Sequence, residues 1–165
     1  MYHRFEENKY PSTNIKIANF IEHLNLIKEK KFKFINPNNF ENSLINEKKE
    51  KKILLTIDDG FQSFYDQAWP ILKKEKIPFI LFVNTREVGT NGYMDWKQIK
   101  EISKEKFVHI GNHSYSHEYM VDMNTEEIIN DINRAVTDFK KNLGYKSSFF
   151  SYPFGEYSNN FKAIV

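Results

Sequence analysis

The chain has 165 residues, the length of one domain with a sizeable core, and its 24 basic residues nearly balance its 22 acidic ones. Nothing in this composition marks a nucleic-acid surface, so we expect no nucleic-acid partner. The absence of cysteine excludes disulfides and thiolate metal sites. No apolar run approaches the ~18 residues of a membrane span, and no basic-then-apolar leader opens the chain.

The N-terminal part of the chain predicts one amphipathic helix between two short strand-like segments. Strand-like residues occupy positions 1–5, and a second short strand is expected at 32–35, where Asn36-Pro37 ends it. The helix is expected over residues 14–30, with an apolar face made by Ile17, Phe20, Ile21, Leu24 and Ile27. A helical turn is expected over 38–44, followed by a lysine-rich loop up to Lys52.

From Ile53 onward, predicted strands and helices alternate. The strands are expected at 53–57, 79–83, 107–110 and 148–152, and the helices at 63–74 (bent near Pro70), 95–104 and 125–143. In the longest helix, Asn124 and Glu127 form a capping-box-like start and Gly144 marks the end. This order predicts an α/β fold with a parallel sheet, either an open doubly wound layer or a β/α barrel. In both, chemistry gathers at the carboxyl ends of the strands, so segments 58–59, 111–117 and 153–155 are expected to converge.

Two adjacent carboxylates, Asp58 and Asp59, end the apolar run 53–57. Burying them costs free energy unless partners satisfy them, and consecutive side chains at a strand end diverge toward different partners. The alternative is an ordinary turn, because Asp-Gly is a common turn signal.

Two histidines, His113 and His117, are spaced four residues apart. On a helical turn, this spacing would place both imidazoles on one face, close enough to share an ion. The alternative is a pair of surface or capping histidines. With one carboxylate from a neighbouring strand end, they would form a ligand set of two imidazoles and one acid. Such a set suits a divalent metal, above all zinc, with cobalt, nickel or manganese possible, while the second carboxylate would face the bound water.

Three motifs together carry a family resemblance: Thr56-Ile57-Asp58-Asp59-Gly60, His113-Ser114-x-x-His117 and Tyr152-Pro153-Phe154-Gly155. Their order and spacing resemble those of the polysaccharide deacetylases (the NodB-homology group, carbohydrate esterase family 4). The opening residues and the third motif look more like the poly-N-acetylglucosamine deacetylase branch. The resemblance covers residues 1–165 as one deacetylase domain.

The resemblance implies a role for each matching residue. Asp58 matches the catalytic base, whereas Asp59, His113 and His117 match the metal ligands. Phe154 matches the aromatic residue whose backbone N–H helps to hold the oxyanion. Candidate substrate-binding residues are Tyr152 and Pro153 of the groove wall, and the aromatic residues Tyr115 and Trp96. For Tyr152, Tyr115 and Trp96, core packing is an equal alternative.

The implied fold is a distorted (β/α)7-type barrel, and the implied reaction is hydrolysis of acetyl groups on an N-acetylated glycan. Two departures stand out: Ser151 takes the place of the family's arginine, and the histidine that acts as general acid is expected beyond Val165, because His3, His23 and His109 do not match it. We therefore expect a truncated domain whose open edge could allow association. A non-catalytic metal- or glycan-binding fragment and a small-amide hydrolase are the alternatives. The family implies an extracytoplasmic or cell-envelope location.

Overall fold

A computed structural model describes residues 1–45 and 50–165. The strands are β1 Arg4–Phe5, β2 Asn14–Ile15, β3 Lys33–Phe34, β4 Lys52–Ile53, β5 Leu55–Ile57, β6 Phe79–Val83 and β7 Val108–Asn112. The helices are α1 Ile17–Glu29, α2 Phe40–Ile45, α3 Trp69–Glu75, α4 Trp96–Ser103, α5 Thr125–Leu143 and α6 Asn159–Ile164. The fold is thus α/β, as predicted, and none of the described helices is both long and apolar enough to cross a membrane.

The main sheet has three parallel strands in the order β5-β6-β7, which confirms the predicted parallel arrangement. Each edge is extended by one parallel bridge, from Tyr2 to Ile57 on one side and from Asn112 to Phe150 on the other. Two further parallel pairs, β1 with β2 and β3 with β4, form small separate sheets. The strands of residues 1–45 and 50–165 do not close into a barrel, so the (β/α)7 arrangement stays a prediction.

The centre of the core is β6, whose five apolar residues are all buried, as expected for a parallel strand covered on both faces. Its neighbour β7 carries Gly111, where a Cβ atom would lie 2.3 Å from the Phe82 ring. Only glycine therefore lets the two strands approach this closely while Phe82 keeps its position.

The helices after Ile53 follow the sequence predictions closely. Helix α5 has the predicted bounds, with a capping box between Asn124 and Glu127 and a left-handed Gly144 at its end. Asp95 caps α4, where its side chain accepts a hydrogen bond from the Gln98 N–H. The helix predicted over 63–74 is a π-helical turn, Phe64–Ala68, that continues into α3, where Pro70 lies in the first turn.

Three predicted elements are wrong in detail. The first helix begins at Ile17, because Asn14–Ile15 instead pairs with β1; on that helix Phe20 and Leu24 are buried, while Ile21 is 39% exposed. The strand predicted at 53–57 is divided at Leu54 between two sheets. The strand predicted at 148–152 forms only the bridge at Phe150. Residues 46–49 of the predicted lysine-rich loop lie outside the described residues.

Candidate active site

A cavity of about 340 Å³ opens at the carboxyl ends of the parallel segments. Its lining includes His3, Asp58, Asp59, His113, His117 and Ser151. His3 follows the Tyr2 bridge, the two aspartates follow β5, His113 follows β7 and Ser151 follows the Phe150 bridge. The predicted convergence of separate segments on one rim is therefore observed, as parallel topology requires.

The turn after β5 separates the two carboxylates. Asp59 and Gly60 both adopt left-handed backbone conformations, with φ of 73° and 76°. Aspartate tolerates this region better than most side chains, and glycine adopts it freely. The Asp58 N–H donates to the Tyr2 carbonyl, which fixes the start of the turn to the neighbouring segment. Residues 58–60 therefore form the turn that Asp-Gly suggested, and the same turn places both carboxylates in the lining of the cavity.

The two histidines meet through a loop, so the expectation of a helical turn is wrong. Ser114 and His117 have φ of 67° and 53°, and left-handed residues interrupt a right-handed helix. The His113 N–H donates to the Val83 carbonyl, and the Ser114 hydroxyl accepts from the His117 N–H at 2.9 Å. The two imidazole rings nevertheless lie 4.8 Å apart, centroid to centroid.

A buried acid on α5, Asp131, holds this loop in place. Its two carboxylate oxygens accept hydrogen bonds from the backbone N–H groups of Tyr115, at 2.8 Å, and Ser116, at 3.0 Å. None of the sequence motifs includes this residue. The available signal was an acid beside Ile128 and Ile132, within the apolar stripe of a predicted helix, where burial requires a partner.

Three potential ligand atoms face one another. The Asp59 Oδ1 atom lies 3.5 Å from His113 Nε2 and 3.2 Å from His117 Nε2. It is buried and has no hydrogen-bond partner among the described residues. These three residues form a cluster whose ligand atoms all lie within 4.8 Å of one another.

The hydrogen bonding of His113 determines which of its nitrogens carries a proton. Its Nδ1 atom lies 2.8 Å from the Ser151 carbonyl oxygen, which can only accept, so Nδ1 carries the hydrogen and Nε2 presents a lone pair to Asp59. Burial lowers the pKa of His113 to about 4, so the ring is neutral near pH 7 and its contact with Asp59 is not an ion pair. The Asp59 oxygen and the His113 nitrogen therefore face each other with lone pairs and no proton between them, which suits a bound divalent cation.

The second carboxylate, Asp58, is suited to accept a proton. It is only 3% exposed, and its Oδ1 atom is buried without a hydrogen-bond partner in the described structure. Burial, followed by the nearby negative charge of Asp59, raises the pKa of Asp58 to about 7. A base whose pKa lies near the working pH is efficient in general base catalysis.

The other predicted site residues fall into two groups. Tyr152 and Phe154 line the cavity; Phe154 is 62% exposed, has φ of 59° and places its ring centroid 4.9 Å from that of His117. Pro153, Tyr115 and Trp96 are not part of its lining. Pro153 is buried in the short turn Pro153–Gly155.

Two aromatic residues proposed for substrate binding lie elsewhere. The Tyr115 ring is covered by the guanidinium of Arg134, 3.6 Å above its centroid, and lines a separate cavity of about 710 Å³. Trp96 packs edge-on against Phe139 at the margin of the core. Trp96 therefore packs against the core, as the alternative to substrate binding predicted.

His3, which lies outside the three sequence motifs, lines the cavity beside Asp58 and Asp59, and burial lowers its pKa. The position of His3 could have been predicted from the strand-like run 1–5. Its Tyr2 pairs in parallel with β5, so the next residue, His3, lies at the carboxyl end of that segment. The two remaining histidines lie outside this cavity. His23 is hydrogen-bonded to the Tyr2 hydroxyl at 2.8 Å, and His109 lies 3.3 Å from the Ser147 hydroxyl.

Comparison with known proteins assigns the family. The family model described as polysaccharide deacetylase matches residues 45–165. The chain belongs to the polysaccharide deacetylase family. This finding confirms the resemblance inferred from the three sequence motifs, which supply the two aspartates, the two histidines and Phe154 of the cavity.

Individual deacetylase-family relatives are distant. The YxkH protein of Bacillus subtilis (strain 168) is 23% identical over 160 residues, which are 96% of this chain and 56% of that protein. The poly-beta-1,6-N-acetyl-D-glucosamine N-deacetylase of Staphylococcus aureus (strain MRSA252) is 26% identical over 119 residues, covering 64% of this chain and 41% of the relative. The structure of IcaB from Ammonifex degensii superposes with a TM-score of 0.87 at 29% identity, covering 99% of this chain and 76% of that one. The chain thus spans about half the length of these two curated relatives.

Proposed function

We propose that the chain is a metal-dependent hydrolase that removes acetyl groups from an N-acetylated glycan. The single observation that carries the proposal is the buried convergence of Asp59 Oδ1 with the two histidine Nε2 atoms, beside the separate carboxylate Asp58. This arrangement offers three ligands for an ion and one free base. Metal-assisted amide hydrolysis uses both functions.

In the proposal, Asp59, His113 and His117 hold the ion, and the Ser151 carbonyl orients His113 through its Nδ1–H group. The nitrogen and oxygen donors favour zinc, with cobalt, nickel or manganese as alternatives. When bound, such an ion supplies a Lewis acid for the acetyl carbonyl and for the attacking water.

Asp58 would take the proton from the attacking water, and the leaving amine would take up a proton as its C–N bond breaks. Free water has a pKa of ~15.7, and even a carboxylate whose pKa is raised to about 7 leaves a gap of about 9 units, or about 12 kcal/mol. A buried carboxylate alone cannot close this gap, which is why the proposal includes a cation beside it. Asp58 contributes by its position and by a pKa suited to neutral pH.

The remaining groups would position the substrate. The backbone N–H of Phe154 would stabilise the developing oxyanion, and Tyr152 would form part of the groove wall. The family relatives named as poly-beta-1,6-N-acetyl-D-glucosamine N-deacetylases favour an N-acetylglucosamine polymer as the substrate class. A seven-unit barrel in the whole protein and an extracytoplasmic or cell-envelope location belong to the same proposal.

The test is acetate release from N-acetylglucosamine oligomers, both β-1,4- and β-1,6-linked, by the zinc-loaded chain with and without a chelator. We expect release that the chelator abolishes and that Asp58→Asn lacks. An aryl acetate is measured in parallel, because its phenolate leaves without a proton and reports on the metal and Asp58 alone. Zinc binding without acetate release from any of these substrates would support the non-catalytic alternative and refute the proposal.

A further inference from the structure

The face of the molecule opposite the candidate site carries a large excess of lysine. It lies at the amino ends of the parallel strands, where α1, α3, α4 and α5 each end before the next parallel segment begins. We call this surface the amino-end face, and it consists of residues 28–45, 50–52, 73–76, 104–106 and 140–146. It has fourteen lysines and five glutamates, whereas the rest of the described chain has eight basic and sixteen acidic residues. The net charge of +2 is therefore the sum of two regions of opposite sign.

Contacts between these segments hold them together as one face. Lys28 forms an ion pair with Glu75, which joins the end of α1 to the end of α3. The Lys52 ammonium donates to the Ser43 carbonyl at 3.1 Å and so fixes α2 to β4, which in turn pairs with β3. The short turn Pro37–Asn39 contacts β7. The amino-end face is therefore a defined surface of the fold.

Helix geometry explains only part of this excess of positive charge. A lysine in the last turn of a helix stabilises the negative end of the helix dipole, which applies to those at the ends of α1, α3 and α5. It does not apply to Lys31, Lys33, Lys51, Lys106 and Lys146, which lie in strands or in connecting segments. Three of the fourteen lysines form ion pairs with glutamates, and none of the other eleven is paired with a carboxylate among the described residues. The uncompensated charge favours an anionic partner.

Exposed apolar side chains lie among these lysines. At the end of α2, Leu44 is 68% exposed and Ile45 is 77% exposed. Phe32 is 36% exposed, and the Lys51 ammonium lies 5.6 Å from the centroid of its ring. A soluble polyanion has no use for exposed aliphatic and aromatic groups, whereas a lipid surface takes up both kinds of side chain: apolar groups enter the interface, and lysines bind the phosphates of the headgroups. The combination therefore favours an anionic lipid surface as the partner.

We propose that the amino-end face docks on the surface of an anionic lipid bilayer, with its lysines at the headgroup phosphates and with Phe32, Leu44 and Ile45 entering the interface. The inference goes beyond the proposed function and does not depend on it. Because the candidate site lies at the carboxyl ends of the same strands, a docked chain presents its catalytic cavity on the side away from the lipid. A polymer outside the bilayer could then reach the cavity.

The test is co-sedimentation of the chain with vesicles of phosphatidylcholine, either alone or mixed with phosphatidylglycerol. We expect binding to the anionic vesicles only, and its loss between ~0.1 M and ~0.5 M salt, because salt screens exposed charges. Lys30→Gln combined with Lys106→Gln should weaken this binding by about 30-fold, or about 5-fold per lysine. The matched control is Lys9→Gln combined with Lys97→Gln, which removes the same charge at the carboxyl ends of the strands, where Lys9 follows β1 and Lys97 lies in the first turn of α4. The control should change vesicle binding by less than about 3-fold.

Leu44→Ser combined with Ile45→Ser separates a lipid surface from a soluble polyanion as the partner. Both side chains are mostly exposed, so the fold should be unaffected, while vesicle binding should weaken by about 3- to 10-fold and binding to soluble polyphosphate should stay the same. Vesicle binding that this variant leaves unchanged would assign a general polyanion surface and overturn the proposal. Equal losses in the two lysine double variants, or no binding to anionic vesicles, would also overturn it. Acetate release from a soluble oligomer is measured separately, so failure of docking and failure of the deacetylase activity are distinguishable.

Discussion

Replacing Asp58 with asparagine should change how the stability of the metal-free protein depends on pH. The pKa of this carboxyl rises from an ordinary 3.8 to about 7 in the fold, so the folded state holds the proton more tightly than the unfolded chain does. The stabilisation is therefore fully present below pH 3.8 and is lost as the pH rises through about 7. Asparagine does not titrate and should remove this loss.

The expected magnitude follows from one proton. Between the two pKa values, the free energy of unfolding falls by about 1.4 kcal/mol per pH unit, and this slope halves as the pH reaches the folded-state pKa, so the change from about pH 5 to about pH 7 is about 2 kcal/mol. The stability advantage of Asp58→Asn over the unaltered protein should grow by up to this amount over the same interval. Groups that titrate independently of Asp58 cancel in this difference.

Urea unfolding with a chelator present, followed by tryptophan fluorescence, measures this difference, because Trp69 is buried in the fold. The control is Asp66→Asn, which removes an exposed carboxylate away from the cavity; an equal gain for this variant would show that the effect does not come from the site. A pH-independent advantage for Asp58→Asn would refute the argument that burial beside Asp59 perturbs this group.

In the zinc-loaded protein, Asp58→Asn should bind the ion in near-stoichiometric amount while losing acetate release, and loss of the ion would contradict the role of a free base.

Further predictions concern the groups around the base. His113→Ala or His117→Ala should lose the ion, as measured by metal content after dialysis, and tight zinc retained by either variant would show that the ligand set is wrong. Asp131→Asn should lower the free energy of unfolding by about 1–3 kcal/mol and weaken zinc binding by about 10- to 100-fold, since an amide group cannot accept from both loop N–H groups; unchanged zinc affinity would exclude a positioning role. Gly111→Ala should cost about 1–3 kcal/mol in urea unfolding, because its Cβ would overlap the Phe82 ring, and a neutral result would mean that the ring moves at no cost. Phe154→Leu should reduce acetate release only mildly, because the proposed contact is made by the backbone, and complete loss would implicate the side chain.

Local patterns in the sequence predicted the elements that depend on local interactions. The capping box at Asn124 and the glycine at 144 set the two ends of α5, and the unbroken apolar run of β6 marks a buried strand. Elements that depend on pairing with distant segments were predicted less well. Asn14–Ile15 continues the periodicity of a helix, but its backbone pairs with β1. Residues 148–152 look like a strand but meet their neighbour only at Phe150.

For the candidate site, the sequence by itself determined which chemical groups are present and in which order, because two carboxylates after a strand and two histidines in one motif can be recognised from residue types and spacing. Tertiary structure decided which of these groups meet. It excluded Trp96 from the cavity, added His3, and supplied Asp131 and the Ser151 carbonyl as supports for the histidine loop. The physical reason is that parallel strands bring their carboxyl ends together whatever their separation along the chain, and only the completed sheet determines which side chains share that edge.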